Sequence, residues 1–157
     1  MMNEISMNDR MPSFSLEATI LNTCSDTNLL GHWTILFIYP KNNTSGCTRE
    51  TKEFNERYSD FNSLGIKVFG LSKDTFASHI SFSKKLGLKF PLISDPQTQL
   101  IQKLDAWKEK SMYGKKYMGT ERSTFLFDQN LLVKHIWKKV KVDGHVNQVF
   151  DKCKEVI

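Results

Sequence analysis

Residues 33–50 read WTILFIYPKNNTSGCTRE. Trp33 to Tyr39 is a short continuous apolar run rich in β-branched and aromatic side chains. That is the composition of a central strand buried on both faces. Pro40 stops it, Lys41 to Gly46 form a polar loop, and Cys47 falls in the first turn of a helix carrying Phe54, Tyr58 and Phe61 at spacings of four and three, closed by Gly65. A strand buried on both faces that runs through a loop into a helix is the unit of an α/β sheet, and the strand-to-helix junction is where such folds place their sites.

Outward from this unit the same alternation continues. Phe14 to Ile20 alternates loosely and meets the polar stretch Asn22 to Asn28, which reads as an N-terminal hairpin. Ile66 to Leu71 reads as a strand. Asp74 and Thr75 cap a helix carrying Phe76, Ile80 and Leu86 that ends at Gly87. Phe90 to Ile93 is a short strand made irregular by Pro91, and Gln97 to Leu104 has a helical pattern. Residues 105–121 form a long glycine-containing loop. Ser123 to Phe127, the Asp128–Asn130 turn and Leu131 to Trp137 form a hairpin. A last helix puts Val146, Val149, Phe150 and Cys153 on one face. The expectation is an α/β fold over residues 1–157, one domain with a mixed central sheet flanked by helices.

The 157 residues suffice for one sizeable core. No apolar run approaches the roughly 20 residues of a membrane span, and the first residues lack a basic head and apolar stretch, so the expected location is cytoplasmic, with no membrane partner. Cys24, Cys47 and Cys153 are too scattered for a disulfide scaffold or a finger-like zinc site. The net charge of +5 lies wholly beyond residue 100, densest at Lys134, Lys138, Lys139 and Lys141. With no nucleic-acid motif beside it, this reads as a solvated face and no nucleic-acid partner is expected.

Chemistry concentrates at Cys47. The first helical turn offers unpaired N–H groups and the positive end of the dipole, which favour an anion, and the thiolate is the nucleophilic form of cysteine. Thr44, three residues earlier, is placed to cap the helix or to hydrogen-bond the sulfur or a bound oxygen. Gly46 lets a ligand approach the backbone, and Pro40 shapes the loop. On spacing alone a capped helix with an inert cysteine stays open. His32, His79, His135 and His145 show no ligand spacing and read as structural or exposed. Met112, Tyr113, Tyr117 and Met118 cluster in the long loop, as lining of a substrate entrance, a dimer contact or core packing.

The spacing Pro40-x-x-x-Thr44-x-x-Cys47 resembles the peroxiredoxin active-site motif. FIYPKNNTSGCTRE resembles the bacterioferritin comigratory protein (PrxQ) branch, as do LSKDTFASHISFSKKLGLKFPLISDP, MYGKKYMGTERSTFLFD and WKKVKVDGH, together covering about residues 10 to 155. The resemblance implies a thioredoxin-like fold and reduction of hydrogen peroxide and organic hydroperoxides without metal or cofactor. Cys47 would be the peroxidatic nucleophile and pass through a sulfenic acid reduced by thioredoxin or a small-molecule thiol. Thr44 would be its hydroxyl partner, Pro40 the loop proline and Arg122 the active-site arginine. Arg122 precedes an apolar strand, so its cation can be presented at the end of the sheet. Glu50 matches the branch too, as a residue orienting an arginine or simply as an exposed acid near a helix N-terminus. The expected assembly is a monomer or weak homodimer.

Lys52 stands where many members of the branch carry a second, resolving cysteine, Phe76 to Gly87 contains none, and Ser45 replaces a frequent proline. No resolving cysteine is assigned. Cys24, in a polar hairpin and expected to be exposed, and Cys153, expected to be buried, remain the candidates. A general disulfide reductase would need a second thiol nearby, which this sequence lacks. A binding protein using the basic face is the other alternative, and a salt-sensitive nucleic-acid shift would reveal it.

Overall fold

The computed structural model describes residues 4–157. Its central sheet is built from β1 (Ser15–Ala18), β2 (Asn22–Ser25), β3 (Trp33–Ile38), β4 (Ile66–Ser72), β5 (Leu92–Ser94), β8 (Ser123–Phe127) and β9 (Val133–Trp137). A separate two-stranded ribbon consists of β6 (Trp107–Met112) and β7 (Lys115–Thr120). The helices are α1 (Ser45–Glu56), α2 (Tyr58–Ser63), α3 (Phe76–Leu86), α4 (Gln99–Lys103) and α5 (His145–Val156). In space the sheet runs β2-β1-β5-β4-β3-β8-β9. β3, β4 and β5 are parallel and the flanking strands antiparallel, so the sheet is mixed, as expected.

The strand period of two divides the core between the two faces of the sheet. Ile35, Phe37, Tyr39, Val68 and Leu126 face α1, α2, α3 and α5. Leu36, Ile38, Phe69, Leu71, Phe125 and Phe127 face the other way, towards α4 and the N-terminal segment. β3 is buried on both faces, as its continuous apolar run requires. Phe54 of α1 stacks on Phe37 of β3 with ring centroids 4.5 Å apart, a pairing that contributes about 0.5–1.5 kcal/mol beyond its buried area. A β-carbon at Gly70, in the middle of β4, would come within 2.7 Å of Leu92 Cδ2 and 3.0 Å of Phe37 Cζ. That strand therefore needs glycine for close packing rather than for backbone freedom.

Two expectations are corrected. Residues 105–121 are no loop: β6 and β7 pair over six positions around a turn in which Tyr113 and Gly114 both have positive φ, the backbone of a two-residue hairpin connection. Met112, Tyr113, Tyr117 and Met118 lie exposed on this ribbon, Tyr113 at 97%, so core packing is not their role. Cys24 is not exposed either. It pairs with Leu16 across the N-terminal hairpin and packs inward with Met11, Ala18 and Leu29. Its neighbours in sequence are polar, but the pleat turns its own side chain to the core.

Candidate active site

Cys47 and Arg122 are brought together by the register of two strands. β3 pairs with β8 antiparallel, with Ile38 opposite Ser123. The end of β3, from which the loop to Cys47 departs, therefore lies beside the start of β8, where Arg122 stands. The Arg122 guanidinium donates from Nη2 to Cys47 Sγ at 3.2 Å and from Nη1 to Glu50 Oε1 at 2.7 Å. Cys47 is almost fully enclosed, at 1% exposure. It sits in the first turn of α1, where the N–H groups have no partners within the helix and the dipole favours negative charge.

Glu50 is one turn further along α1 and is completely buried. The alternative of an exposed acid falls, and the reading as a partner of an arginine stands. Burial pushes its carboxyl up to about 7, against the opposing pull of Arg122. A β-carbon at Gly46 would meet Arg122 Nη2 at 3.4 Å and Val142 Cγ2 at 3.8 Å, so the guanidinium and Val142 pack directly against the loop at this position. Thr44 occupies the N-cap position with extended backbone, but its side chain makes no cap bond to the helix. Its hydroxyl donates to the Lys41 carbonyl at 2.9 Å instead, leaving its oxygen lone pairs available to accept.

The loop between Pro40 and Thr44 is tied down by groups that the sequence pattern did not mark. Asn42 is buried. Its side chain accepts from Tyr39 Oη at 2.7 Å and donates to Ser78 Oγ at 3.1 Å and His79 Nδ1 at 3.0 Å. Its backbone N–H donates to Asp74 Oδ2 at 3.0 Å. His79 Nε2 lies 3.0 Å from the Ile93 carbonyl, which can only accept. The proton is therefore on Nε2, and Nδ1 accepts from Asn42. Burial lowers the His79 pKa and so favours this neutral ring. A signal was present in the polar residues at the strand end, Ser72 and Asp74, but not in any motif spacing.

The basic segment after β9 backs the site. The Val140 N–H donates to the Arg122 carbonyl at 2.9 Å, Asp143 pairs with Arg49 at 2.9 Å, and His145 at the start of α5 lies behind Glu50, with Nε2 4.0 Å from Oε2. His145 Nε2 also makes a 2.8 Å hydrogen bond with Thr124 Oγ1, and burial lowers its pKa to about 4. Two of the lysines answer acids: Lys138 lies 3.6 Å from Glu121, and Lys134 lies 3.7 Å from Asp128. The other two cysteines, Cys24 and Cys153, are buried and free. Burial pushes the Cys24 thiol up to about 11 and the Cys153 thiol to about 12. Cys24 also belongs to the core on the opposite face of the sheet from Cys47.

A thiol at a helix N-terminus, bonded by an arginine whose other arm is held by a buried carboxyl, is an arrangement for nucleophilic attack on a small electrophile. Residues 7–136 match the AhpC/TSA family model. The chain belongs to the AhpC/TSA family. It is similar to a peroxiredoxin Bcp of Xanthomonas campestris, 44% identical over 124 residues that cover 79% of this chain and 78% of the relative. A Bacillus subtilis peroxiredoxin Bcp is 34% identical over 152 residues, 97% of each chain. Among solved structures, a cysteine-to-serine mutant of Xylella fastidiosa PrxQ superposes with a TM-score of 0.91 at 34% identity, covering 98% of both chains. One of Xanthomonas campestris peroxiredoxin Q gives 0.88 at 40% identity, covering 92% of both. The fold is therefore the thioredoxin-like fold of peroxiredoxins, and the protein is a thiol-dependent peroxidase.

Proposed function

We propose that Cys47 is the nucleophile of this peroxidase, that Arg122 and Thr44 hold the peroxide oxygens, and that Pro40 and Gly46 shape the loop around them. The observation that carries this reading is the 3.2 Å hydrogen bond from Arg122 Nη2 to Cys47 Sγ at the first turn of α1. A thiolate at Cys47 is stabilised by the guanidinium that touches it. As sulfur attacks in line with the O–O bond, the same cation and the free N–H groups of the helix turn offset charge on the departing oxygen. Thr44 keeps lone pairs free towards the substrate while its proton is held by the Lys41 carbonyl. Glu50 orients Arg122.

The substrates are hydrogen peroxide and organic hydroperoxides. Alkyl peroxide reduction is an activity of the similar bacterioferritin comigratory protein of Xanthomonas campestris, which supports the second class. An external thiol, thioredoxin or a small molecule, reduces the Cys47 sulfenic acid directly, because the other two cysteines are buried with raised pKa values. The enzyme works as one thioredoxin-like domain over residues 1–157, in the cytoplasm, as a monomer or weak homodimer. Among the described residues no helix is long and apolar enough to cross a membrane. One equivalent of hydrogen peroxide followed by intact-mass measurement tests the assignment. Wild type gains one oxygen at Cys47, and Cys47→Ser gains none and loses peroxide consumption to below about a hundredth of wild type. Turnover retained in Cys47→Ser would move the nucleophile to another thiol.

A further inference from the structure

Glu50 engages Arg122 with one oxygen only. Oε1 accepts from Nη1, while the enclosed Oε2 has no hydrogen-bond partner among the described residues. The same guanidinium serves Cys47 Sγ through Nη2. One cation therefore faces two groups that are both anionic when deprotonated, in a site where the carboxyl is fully buried and the sulfur nearly so. The other titratable neighbours do not correct the imbalance. Glu53, on the next turn of α1, adds negative potential. His145, from α5, is kept neutral by its burial and by Arg122. Tyr39, just beyond the end of β3, is held protonated by burial. Two buried anions against one cation leave an uncompensated charge, which a single proton removes.

We propose that Glu50 holds one proton while Cys47 is a thiolate and releases it as Cys47 becomes a sulfenic acid, so that the oxidation step draws no net proton from solvent. This rests on the assignment of Cys47 as the nucleophile. The thiolate forms an S–O bond to the terminal oxygen of ROOH, the O–O bond breaks, and the hydroxyl stays on sulfur as neutral Cys47–SOH. Sulfur loses two electrons and the peroxide gains them. The departing alkoxide takes a proton from solvent. With the thiolate gone, Arg122 faces a single anion, and Glu50 ionises and replaces that proton. The sum is Cys47–S⁻ + Glu50–COOH + ROOH → Cys47–SOH + Glu50–COO⁻ + ROH, balanced in atoms and in charge. Reduction of the sulfenic acid by an external thiol regenerates the thiolate with one proton, which returns to Glu50. The raised pKa of the carboxyl agrees with a proton held there near neutral pH.

Infrared difference spectroscopy on the intact reduced protein tests this, with one equivalent of hydrogen peroxide added near neutral pH and the yield of Cys47 oxidation read by intact mass on the same sample. The oxidised-minus-reduced spectrum is expected to lose one protonated-carboxyl band and gain one carboxylate signal per Cys47 oxidised. The band should shift when glutamate is ¹³C-labelled, an assignment made on the wild-type protein, and vanish in Glu50→Gln. Full oxidation of Cys47 with no carboxyl change, or a change that persists in Glu50→Gln, overturns the proposal and leaves the nucleophile standing. No oxidation at Cys47 overturns both.

Discussion

Replacing Glu50 by glutamine should change how stability depends on pH, by an amount that follows from its surroundings. Glutamine keeps an oxygen to accept from Arg122 Nη1 but cannot titrate. In the wild type, the carboxyl moves from its ordinary 4.5 to about 7 on folding, mainly through burial. A raised carboxyl pKa means that the folded state binds the proton more tightly than the unfolded chain. Its contribution to stability is thus fully present below about pH 4.5 and is lost as pH rises through about 7. At 1.36 kcal/mol per unit, a shift of that size amounts to about 3 kcal/mol, with no discount for solvent because the group is fully buried. His145 works in the opposite sense. Its pKa falls from 6.5 to about 4, so its contribution is full above the unfolded value and lost as pH falls through the folded one. The two slopes nearly cancel between about pH 4.5 and 6.5 in the wild type, and Glu50→Gln uncovers the His145 slope alone. Urea unfolding of the reduced proteins from about pH 4.5 to about pH 8 gives the comparison. The stability of Glu50→Gln relative to wild type should rise by about 3 kcal/mol across that range. A difference that stays constant to within about 0.5 kcal/mol would mean that the buried carboxyl ionises as in water, and the charge argument built on it would fail.

Three further outcomes are expected. Arg122→Ala should slow peroxide reduction by about 10²- to 10³-fold, the usual loss for one donor to a developing anion, and should slow alkylation of Cys47 at neutral pH; unchanged rates in both assays would remove Arg122 from the site. Thr44→Val loses only the hydrogen bond to the Lys41 carbonyl, at a cost of about 1 kcal/mol in thermal unfolding, while peroxide reduction should drop by roughly a hundredfold; full activity with lower stability would make Thr44 a loop staple and nothing more. Cys24→Ser/Cys153→Ser should keep multiple turnovers with an external thiol and show a trappable sulfenic acid at Cys47, whereas a quantitative disulfide to either residue, with turnover lost in the matching variant, would make this a two-cysteine enzyme.

Much of the molecule is local in origin and could be read from the chain alone. The apolar run from Trp33, the break at Pro40, the Thr75 cap and the Gly87 stop of α3 are decisions taken within a few residues, and the elements fall where those signals place them. The Cys47 motif is local in the same sense, since a loop and one helical turn determine its backbone. The β6–β7 ribbon escaped because it lies mostly open to solvent and carries little apolar alternation. Only its pairing partner marks it as a strand.

What the tertiary structure alone decided is which distant groups meet and what they lose on meeting. Arg122 reaches Cys47, 75 positions away in sequence, because β3 and β8 pair with Ile38 opposite Ser123, and no spacing encodes that register. Cys24 sits among polar residues along the chain yet faces the core, because the pairing of β1 with β2 turns it inward. Glu50 reads along the sequence as an ordinary acid near a helix N-terminus. The packing of α1 with Arg122 and His145 around it removes water from the carboxyl. Desolvation is a property of everything that surrounds a group, and so the ionisation of Glu50, unlike the position of Cys47, belongs to the folded molecule and not to any segment of it.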